Sequence, residues 1–179
     1  GSMSYKNLQN TMPSIIKSID AILENHKNEK GIIHTHSIKI AESIYKKLQS
    51  KYKNRILIAF GSDRDKILKK HMTSKNPTVL LSPSMSEGVD LKGDLSKFQV
   101  LCKVPFPYLG DKVIKKKMSK WHWWYDTQTV RTIIQSVGRS IRSEKDTAVT
   151  YILDDDWRRL KGNSKKLFPE NFFKNYHEY

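Results

Sequence analysis

The stretch QSVGRSIR, residues 135–142, combines residue types and a spacing that suit phosphate binding. Gln135, Arg139 and Arg142 follow one another at offsets of four and three residues, so their side chains would share one face of a helix. A planar guanidinium fits phosphate oxygens, and paired arginines can stabilise the charge that develops in phosphoryl transfer. A salt-bridged surface helix would have the same spacing. The pattern is therefore consistent with an anion site or with a solvated helix face.

The loop SPSMSEGVDL, residues 82–91, is a second candidate site. Gly88 allows a backbone to come close to a phosphate or sugar, and Ser84 offers a hydroxyl. Glu87 and Asp90 can accept hydrogen bonds from a ribose or from an arginine. A tight turn that needs glycine, with solvated acids beside it, explains the same residues equally well.

A basic segment leads directly into the aromatic run WHWWY, residues 121–125. Bases that stack on aromatic faces gain about 1–3 kcal/mol each, and lysines contact phosphates. Trp123 is the best candidate for an exposed stacking ring, and Lys117 lies just upstream of it. Trp121 and Trp124 are three residues apart on one helical face, so we expect them to pack against the protein.

Short apolar runs alternate with amphipathic segments along the chain. The predicted strands are residues 31–36, 55–60, 78–82, 97–104 and 146–155, and the predicted helices include 13–26, 38–50, 62–72 and 127–142. Ser37 is expected to cap helix 38–50, and Ser62 or Asp63 to cap helix 62–72. This alternation is typical of βαβ units and predicts an α/β fold, with a mainly parallel sheet and helices on both faces.

A parallel sheet of this kind binds its ligands at the carboxyl ends of the strands. Loop 82–91 follows a predicted strand and fits that place. Glu87 and Gln135 are both expected at strand ends or just beyond them. The acidic loop and the arginine motif are therefore predicted to contribute to one ligand edge.

The chain has 179 residues, with 33 Lys and Arg against 18 Asp and Glu, and a formal net charge of +15. A charge of this sign and size favours a polyanionic partner, and nucleic acid is the leading one. A lysine-rich soluble surface is the alternative. Residues 1–3, GSM, are interpreted as a cloning remnant, and residues 4–179 as one domain.

Cys102 is the only cysteine, which excludes an internal disulfide and a cysteine-based zinc or iron–sulfur site. It is interpreted as a small buried apolar residue. The single cysteine fits a reducing intracellular compartment, the cytoplasm or nucleus. His34 and His36 are interpreted as structural, and no metal site is expected. No segment has the roughly 18 consecutive apolar residues of a membrane span.

Several segments together resemble a known family. SMSEGVDLKGD (84–94) resembles motif V, and QSVGRSIRSEKD (135–146) resembles motif VI, of superfamily 2 helicases, closest to the XPD/DinG-like branch that moves on single-stranded DNA. GIIHTHS resembles the motif IV segment, and VPFP, ILDDDW and KLFPENF resemble later segments of that family. The resemblance extends from about residue 8 to residue 173.

The resemblance implies that the chain is the second of two RecA-like motor domains. It implies that Arg139 and Arg142 act as arginine fingers on the γ-phosphate of ATP, and that Gln135 contacts that phosphate or its attacking water. ATP and Mg²⁺ would be held in the full-length enzyme by a first RecA-like domain, because no G-x-x-x-x-G-K-[ST] phosphate loop is present here. The fragment alone is expected to be monomeric, to bind no cofactor and to be inactive as an ATPase.

The same resemblance assigns nucleotide sensing to Gly88 and Asp90, and Glu87 beside them is a further candidate for nucleotide binding. It implies contacts with the phosphates of single-stranded DNA from Thr35, Ser37, Ser62 and Ser84, and Lys117, Trp123 and Arg131 are further candidates for nucleic-acid binding from their residue types. The alternative is a non-enzymatic RecA-like module that binds nucleic acid or protein. An RNA-directed helicase of the same superfamily is a further alternative.

Overall fold

The computed structural model describes residues 1–4, 7–83, 91, 93–138, 140 and 147–178. Within them, five strands form one sheet in the order β2-β3-β1-β4-β5, with every neighbouring pair parallel. The strands are β1 (Gly31–His34), β2 (Ile56–Ile58), β3 (Val79–Ser82), β4 (Phe98–Leu101) and β5 (Val149–Ile152). The predicted α/β fold with a parallel sheet is confirmed.

Six α-helices lie in the described part of the chain. They are α1 (Leu8–Asn25), α2 (Ile38–Tyr52), α3 (Arg64–Thr73), α4 (Lys112–Lys120), α5 (His122–Val137) and α6 (Asp156–Ser164). α1 and α2 bury their apolar stripes on one sheet face, around Ile33 and Val100. α3, α5 and α6 cover the other face, around Leu80 and Leu101. Successive residues of each strand point to opposite faces of the pleated sheet, so alternate residues contribute to the cores on its two sides.

Two helix boundaries differ from the sequence prediction. α1 begins at Leu8, so Pro13 lies inside the helix rather than at its first turn. Leu8 and Met12 pack with the core, and this packing outweighs the hydrogen bond that a proline cannot donate. The basic and aromatic segment breaks at Trp121, whose backbone leaves the helical region, so α5 begins at His122 and not at residue 127.

Arg55 connects three segments at the amino edge of the sheet. Its Nε donates to the carbonyl of Pro77 at 2.9 Å, and its Nη1 donates to the carbonyl of Leu23 at 2.8 Å. Its Nη2 donates to the carbonyl of His26. Leu23 and His26 lie at the C-terminal end of α1, where carbonyl groups have no partner within the helix. One guanidinium therefore joins α1 to the segments that begin β2 and β3.

Gly31 opens β1 at a point where the sheet is covered by an aromatic ring. A Cβ at this position would overlap the ring of Phe98, which is fully buried in the neighbouring strand. Phe98 is stacked in turn on His26, with 4.4 Å between ring centroids. The absence of a side chain at Gly31 is thus required by close approach.

Asp154 fixes the carboxyl edge just beyond β5. Its carboxylate accepts hydrogen bonds from the backbone N–H groups of Met3, Val104 and Asp156, at 2.9, 2.9 and 3.2 Å. Burial raises the pKa of Asp154 even though these three donors oppose the shift. Met3, in the segment interpreted as a cloning remnant, is itself buried in the α1 core.

His71 is a buried imidazole with a hydrogen bond at each ring nitrogen. Nε2 lies 2.8 Å from the carbonyl oxygen of Leu95, and Nδ1 lies 2.9 Å from the hydroxyl of Thr78. These partners assign a neutral ring that donates from Nε2 and accepts at Nδ1. Burial, with a contribution from the Lys30 ammonium, lowers the pKa of His71 to about 4.

We expect the free energy of unfolding to fall as the pH drops from about 6.5 towards 4. The pKa of His71 is lower in the folded protein than its ordinary value of 6.5, so the unfolded chain binds the proton more readily. Its stabilising effect is complete above pH 6.5 and is lost at about 1.4 kcal/mol per pH unit below it. Urea denaturation across this range should show a shallower decline for His71→Asn. An equal decline in both proteins would contradict the prediction.

Candidate functional site

The carboxyl ends of β1 and β3 meet at Thr35. Its N–H donates to the carbonyl of Ser82 at 2.9 Å, and its buried hydroxyl donates to the carbonyl of Ser37 at 2.9 Å. The hydroxyl of Thr35 is therefore used inside the protein, where it shapes the turn into α2. The side chain of Ser37 accepts from the N–H of Ile40 at 3.5 Å, so the predicted cap of α2 is confirmed.

His36, between these two residues, has two unusual features. Its φ of 50° lies in the left-handed region, which is uncommon for a residue with a side chain. Its Nε2 is buried and has no hydrogen-bond partner among the described residues. Burial, reinforced by Lys103, lowers the pKa of His36 to about 4. The turn between β1 and α2 therefore combines an uncommon backbone conformation with an unsatisfied buried nitrogen.

His34 and His36 have nearly parallel rings, with 6.2 Å between their centroids. His34 also contacts the side-chain oxygen of Gln99 through Nε2 at 3.3 Å. Across the described ranges, no group of three or more His, Cys, Asp or Glu side chains lies together as a metal ion would require. The interpretation of the pair as structural agrees with the His34–Gln99 contact.

Ser62 lies in the short 3₁₀ turn Gly61–Asp63 that follows β2, and its side chain is exposed. α3 begins after this turn, with Asp63 at the cap position but with no side-chain hydrogen bond to the helix. The expected side-chain cap is therefore not formed. Ser84, Glu87, Gly88 and Asp90 lie outside the described residues.

α5 is the helix on which the phosphate-binding motif begins. Val130 and Ile133 are buried against β4 and α6, while Arg131 and Gln135 are exposed. The last two are four residues apart and share one face. The predicted division of this helix into an apolar and a polar side is confirmed for its described part. Arg139 and Arg142 lie outside the described residues.

The last turn of α5 lies at the amino edge of the sheet. The side-chain amide of Gln99, the second residue of β4, donates to the carbonyl of Val137 at 3.1 Å. The hydroxyl of Ser140 lies 2.7 Å from that of Ser96, which precedes β4. Gln135 is therefore near the amino end of a strand and not at a carboxyl end. α5 runs antiparallel to the strands, so its C-terminal end lies away from the carboxyl edge of the sheet.

The basic and aromatic segment forms a corner between α4 and α5. Trp123 is 65% exposed, as predicted for the stacking candidate. Trp124 is half-buried, whereas Trp121 is 41% exposed, so the prediction that Trp121 packs inside is wrong. The ammonium of Lys117 lies 5.2 Å from the ring centroid of Trp124. Lys117 itself is exposed.

Cys102 is completely buried beside the apolar residues of β4 and α1, as predicted. Burial raises the pKa of its thiol well above the usual range. A thiol in this state is an unreactive packing group.

Comparison with known proteins places this geometry in a family. A family model described as a helicase C-terminal domain matches residues 19–175. The chain belongs to that family. The match covers all five strands and the whole segment QSVGRSIR, so the sequence resemblance to XPD/DinG-like helicases is confirmed.

Helicases of this branch are among the relatives. The ATP-dependent DNA helicase YoaA of Haemophilus influenzae is 24% identical over 157 residues, which are 83% of this chain and 24% of that protein. The ATP-dependent DNA helicase DinG of Photobacterium profundum is 32% identical over 133 residues, 65% of this chain and 18% of that protein. The helicase domain thus spans a quarter or less of the length of these two relatives.

Solved structures confirm the RecA-like fold. S. tokodaii Xpd4 superposes with a TM-score of 0.65 at 20% identity, over 93% of this chain and 35% of that one. The C-terminal domain of the DEAD-box protein Dbp5 gives 0.61 at 16% identity, over 86% and 78%. In the described ranges of this helicase domain, no helix has the length and apolar character needed to cross a membrane.

Two residues with notable contacts or conformation, His36 and Gln99, are not among the residues predicted for the site. His36 was interpreted only as one of a structural pair, and a left-handed backbone at histidine has no sequence signal. Gln99 lies in the middle of a strand, where an apolar residue is usual, and that irregularity could have identified it. It joins His34 in β1 to the end of α5.

Proposed function

We propose that this chain is the second motor domain of an ATP-dependent, XPD/DinG-like DNA helicase. The observation that supports the proposal most strongly is the match of residues 19–175 to the helicase C-terminal family, which includes the start of the phosphate-binding motif. The ATP-dependent DNA helicases YoaA and DinG, named above, contain the matching domain as a minor part of a longer protein. The rest of the motor would come from a first RecA-like domain.

The nucleotide side of the motor would lie at the amino edge. Arg139 and Arg142 would serve as arginine fingers, and Gln135 would contact the γ-phosphate or its attacking water. Gln135 is exposed one helical turn from Arg131, and apolar packing beneath α5 holds its backbone in place. The exposed amide suits a phosphate that arrives from outside the domain. The γ-phosphate of ATP would be the anion that Arg139 and Arg142 bind. The first domain would hold the Mg²⁺ that accompanies it.

Nucleotide state would also be sensed by Glu87, Gly88 and Asp90. In the sequence they follow β3, which ends at Ser82. Two carboxylates and a glycine are residue types that suit ribose or arginine contacts.

The strand side of the motor would lie at the carboxyl edge. Single-stranded DNA would contact Ser37, Ser62 and Ser84 in the turns that follow β1, β2 and β3. Thr35 would act there by shaping its turn, because its hydroxyl is already donated to Ser37. Arg131 would add a cation on the exposed face of α5.

α5 would connect the two sides. Its 16 residues, His122–Val137, span about 24 Å, with Trp123 near the end at the carboxyl edge and Gln135 near the end at the amino edge. Tyr125 anchors the first end, because its hydroxyl donates to the carbonyl of Pro107 at 3.1 Å. A shift of either end would be transmitted along a continuous hydrogen-bonded helix.

The test is ATP hydrolysis by the full-length natural protein, with and without single-stranded DNA, and with RNA of the same sequence. We expect turnover that single-stranded DNA stimulates strongly. Stimulation by RNA instead would support the RNA-directed alternative. A natural protein without a domain that contains a phosphate loop, and without ATPase activity, would support the non-enzymatic module.

A further inference from the structure

The corner between α4 and α5, defined by Leu109 to Trp124, exposes an apolar surface that the rest of the described chain does not cover. α4 has nine residues, none of which is buried. Val113 is 60% exposed, and Met118 and Leu109 are also exposed. A groove of about 300 Å³ lies between the helices and is lined by Leu109, Lys115, Met118, Ser119 and His122. Exposed apolar surface with charged residues around it is typical of a binding site.

The charge of this corner is almost entirely positive. α4 contains five lysines, Lys112, Lys115, Lys116, Lys117 and Lys120, and no acidic residue. The carboxylate of Asp111 is used as the helix cap and accepts from the N–H of Val113 at 2.7 Å. The carboxylate of Asp126 accepts from the hydroxyl of Ser164 at 2.7 Å. In the ranges that the structure covers, none of the five lysines forms a salt bridge, so they remain available to an anion.

The three tryptophans differ in what covers their rings. The ammonium of Lys120 lies 4.9 Å from the ring centroid of Trp121, and that of Lys117 lies 5.2 Å from that of Trp124. Trp123 is the most exposed of the three, and no cation or ring of the described residues lies against it. The corner thus presents one open aromatic face between two lysine-covered ones.

We propose that this corner is a single-strand-selective nucleic-acid site in which one unpaired base stacks on Trp123. The ammonium groups of Lys117 and Lys120, on either side, would contact the flanking phosphates, and the groove would take a neighbouring nucleotide. This deepens the proposed function, on which it rests for the choice of nucleic acid. Duplex bases already stack on each other, so only an unpaired base can offer its face to the ring. An acidic peptide matches the charge but has no comparable planar group for Trp123.

The 179-residue chain itself is the material for the test. The affinity for a labelled oligothymidylate of about twelve nucleotides is measured by fluorescence anisotropy and compared with that for a duplex of equal length. We expect tighter binding of the single strand, and a roughly 5- to 150-fold weaker affinity for Trp123→Ala. Trp123 is exposed, so the variant should keep the wild-type melting temperature. Equal affinities of the wild type and Trp123→Ala would overturn the proposal.

A charge variant tests the lysines separately. The double variant Lys117→Ala and Lys120→Ala should reduce the slope of log affinity against log salt by about 1.4, since each phosphate contact contributes about 0.7 on a single strand. The matched control removes the same charge from α2, at the exposed Lys46 and Lys47, and should leave the slope unchanged. The same slope change in both double variants would overturn the proposal in favour of general surface charge.

A polyglutamate competitor distinguishes the acidic-peptide alternative. Displacement of the oligonucleotide by polyglutamate at equal charge concentration would overturn the proposal of a single-strand-selective site. A failure of polyglutamate to displace it would support that proposal. These results are independent of ATP turnover. DNA-stimulated turnover in the full-length enzyme with unchanged Trp123→Ala binding would refute this site alone, whereas turnover that ignores DNA would refute the proposed function.

Discussion

Alanine at Arg139 or Arg142 is expected to lower ATP turnover of the full-length enzyme by about 10³–10⁵-fold. The guanidinium would supply positive charge to the γ-phosphate as negative charge develops on its oxygens, and the exclusion of water from such a site would strengthen this interaction. Steady-state ATPase assays at saturating single-stranded DNA measure the loss. Because the site would form only between two domains, the assay requires the complete protein.

Arg158→Ala is the matched control for the arginine variants. Arg158 is exposed on α6, and its guanidinium contacts Glu178 at 2.8 Å, so the substitution removes an equal charge from a distant surface. We expect its turnover to equal that of the wild type. All three variants should melt at the wild-type temperature. Wild-type turnover in both Arg139→Ala and Arg142→Ala would remove the arginine-finger assignment.

Arg55→Ala should produce the largest loss of stability among single substitutions at the amino edge. The guanidinium satisfies carbonyl groups of Pro77, Leu23 and His26, two of them at the open end of α1. Hydrogen bonds from a charged donor are worth more than neutral ones, and their loss leaves half-buried carbonyls without partners. We expect the free energy of unfolding to fall by about 3 kcal/mol and the melting temperature by roughly 6–12 °C.

Two further variants separate the geometry of Arg55 from its charge. Arg55→Lys keeps the positive charge but cannot reach three carbonyls at once, so it should recover only a minor part of the loss. Lys47→Ala removes a charge from an exposed position of α2 and should change the melting temperature by no more than a degree or so. Full recovery by lysine would show that charge alone matters here. Circular dichroism melts of the 179-residue chain provide the measurement.

Much of the fold was predictable because its signals are local. The alternation of β-branched runs with amphipathic segments identified all five strands, and the hydroxyl of Ser37 before an apolar stripe identified the start of α2. The start of α1 was missed because tertiary packing of Leu8 and Met12 overrides the usual place of a proline. The break at Trp121 was missed because aromatic residues have no strong preference for or against a helix.

The candidate site was less predictable because it depends on the direction in which each helix runs relative to the strands. The sequence identified Gln135 as a polar residue on an anchored helix, which the structure confirms. It did not show that a helix connecting two parallel strands must return from the carboxyl edge to the amino edge, which places Gln135 away from the carboxyl edge. Arg55 was not singled out, since its three carbonyl partners are distant in the sequence.

The buried state of Cys102 makes this chain convenient for site-specific labelling. Its thiol is wholly enclosed and its pKa is raised by burial, so maleimide reagents should leave the folded domain untouched. A cysteine introduced at an exposed position such as Lys47 would then be the sole point of attachment for a fluorophore. The fluorescence of that dye would report on ligand binding to this domain without any prior removal of the native sulfur.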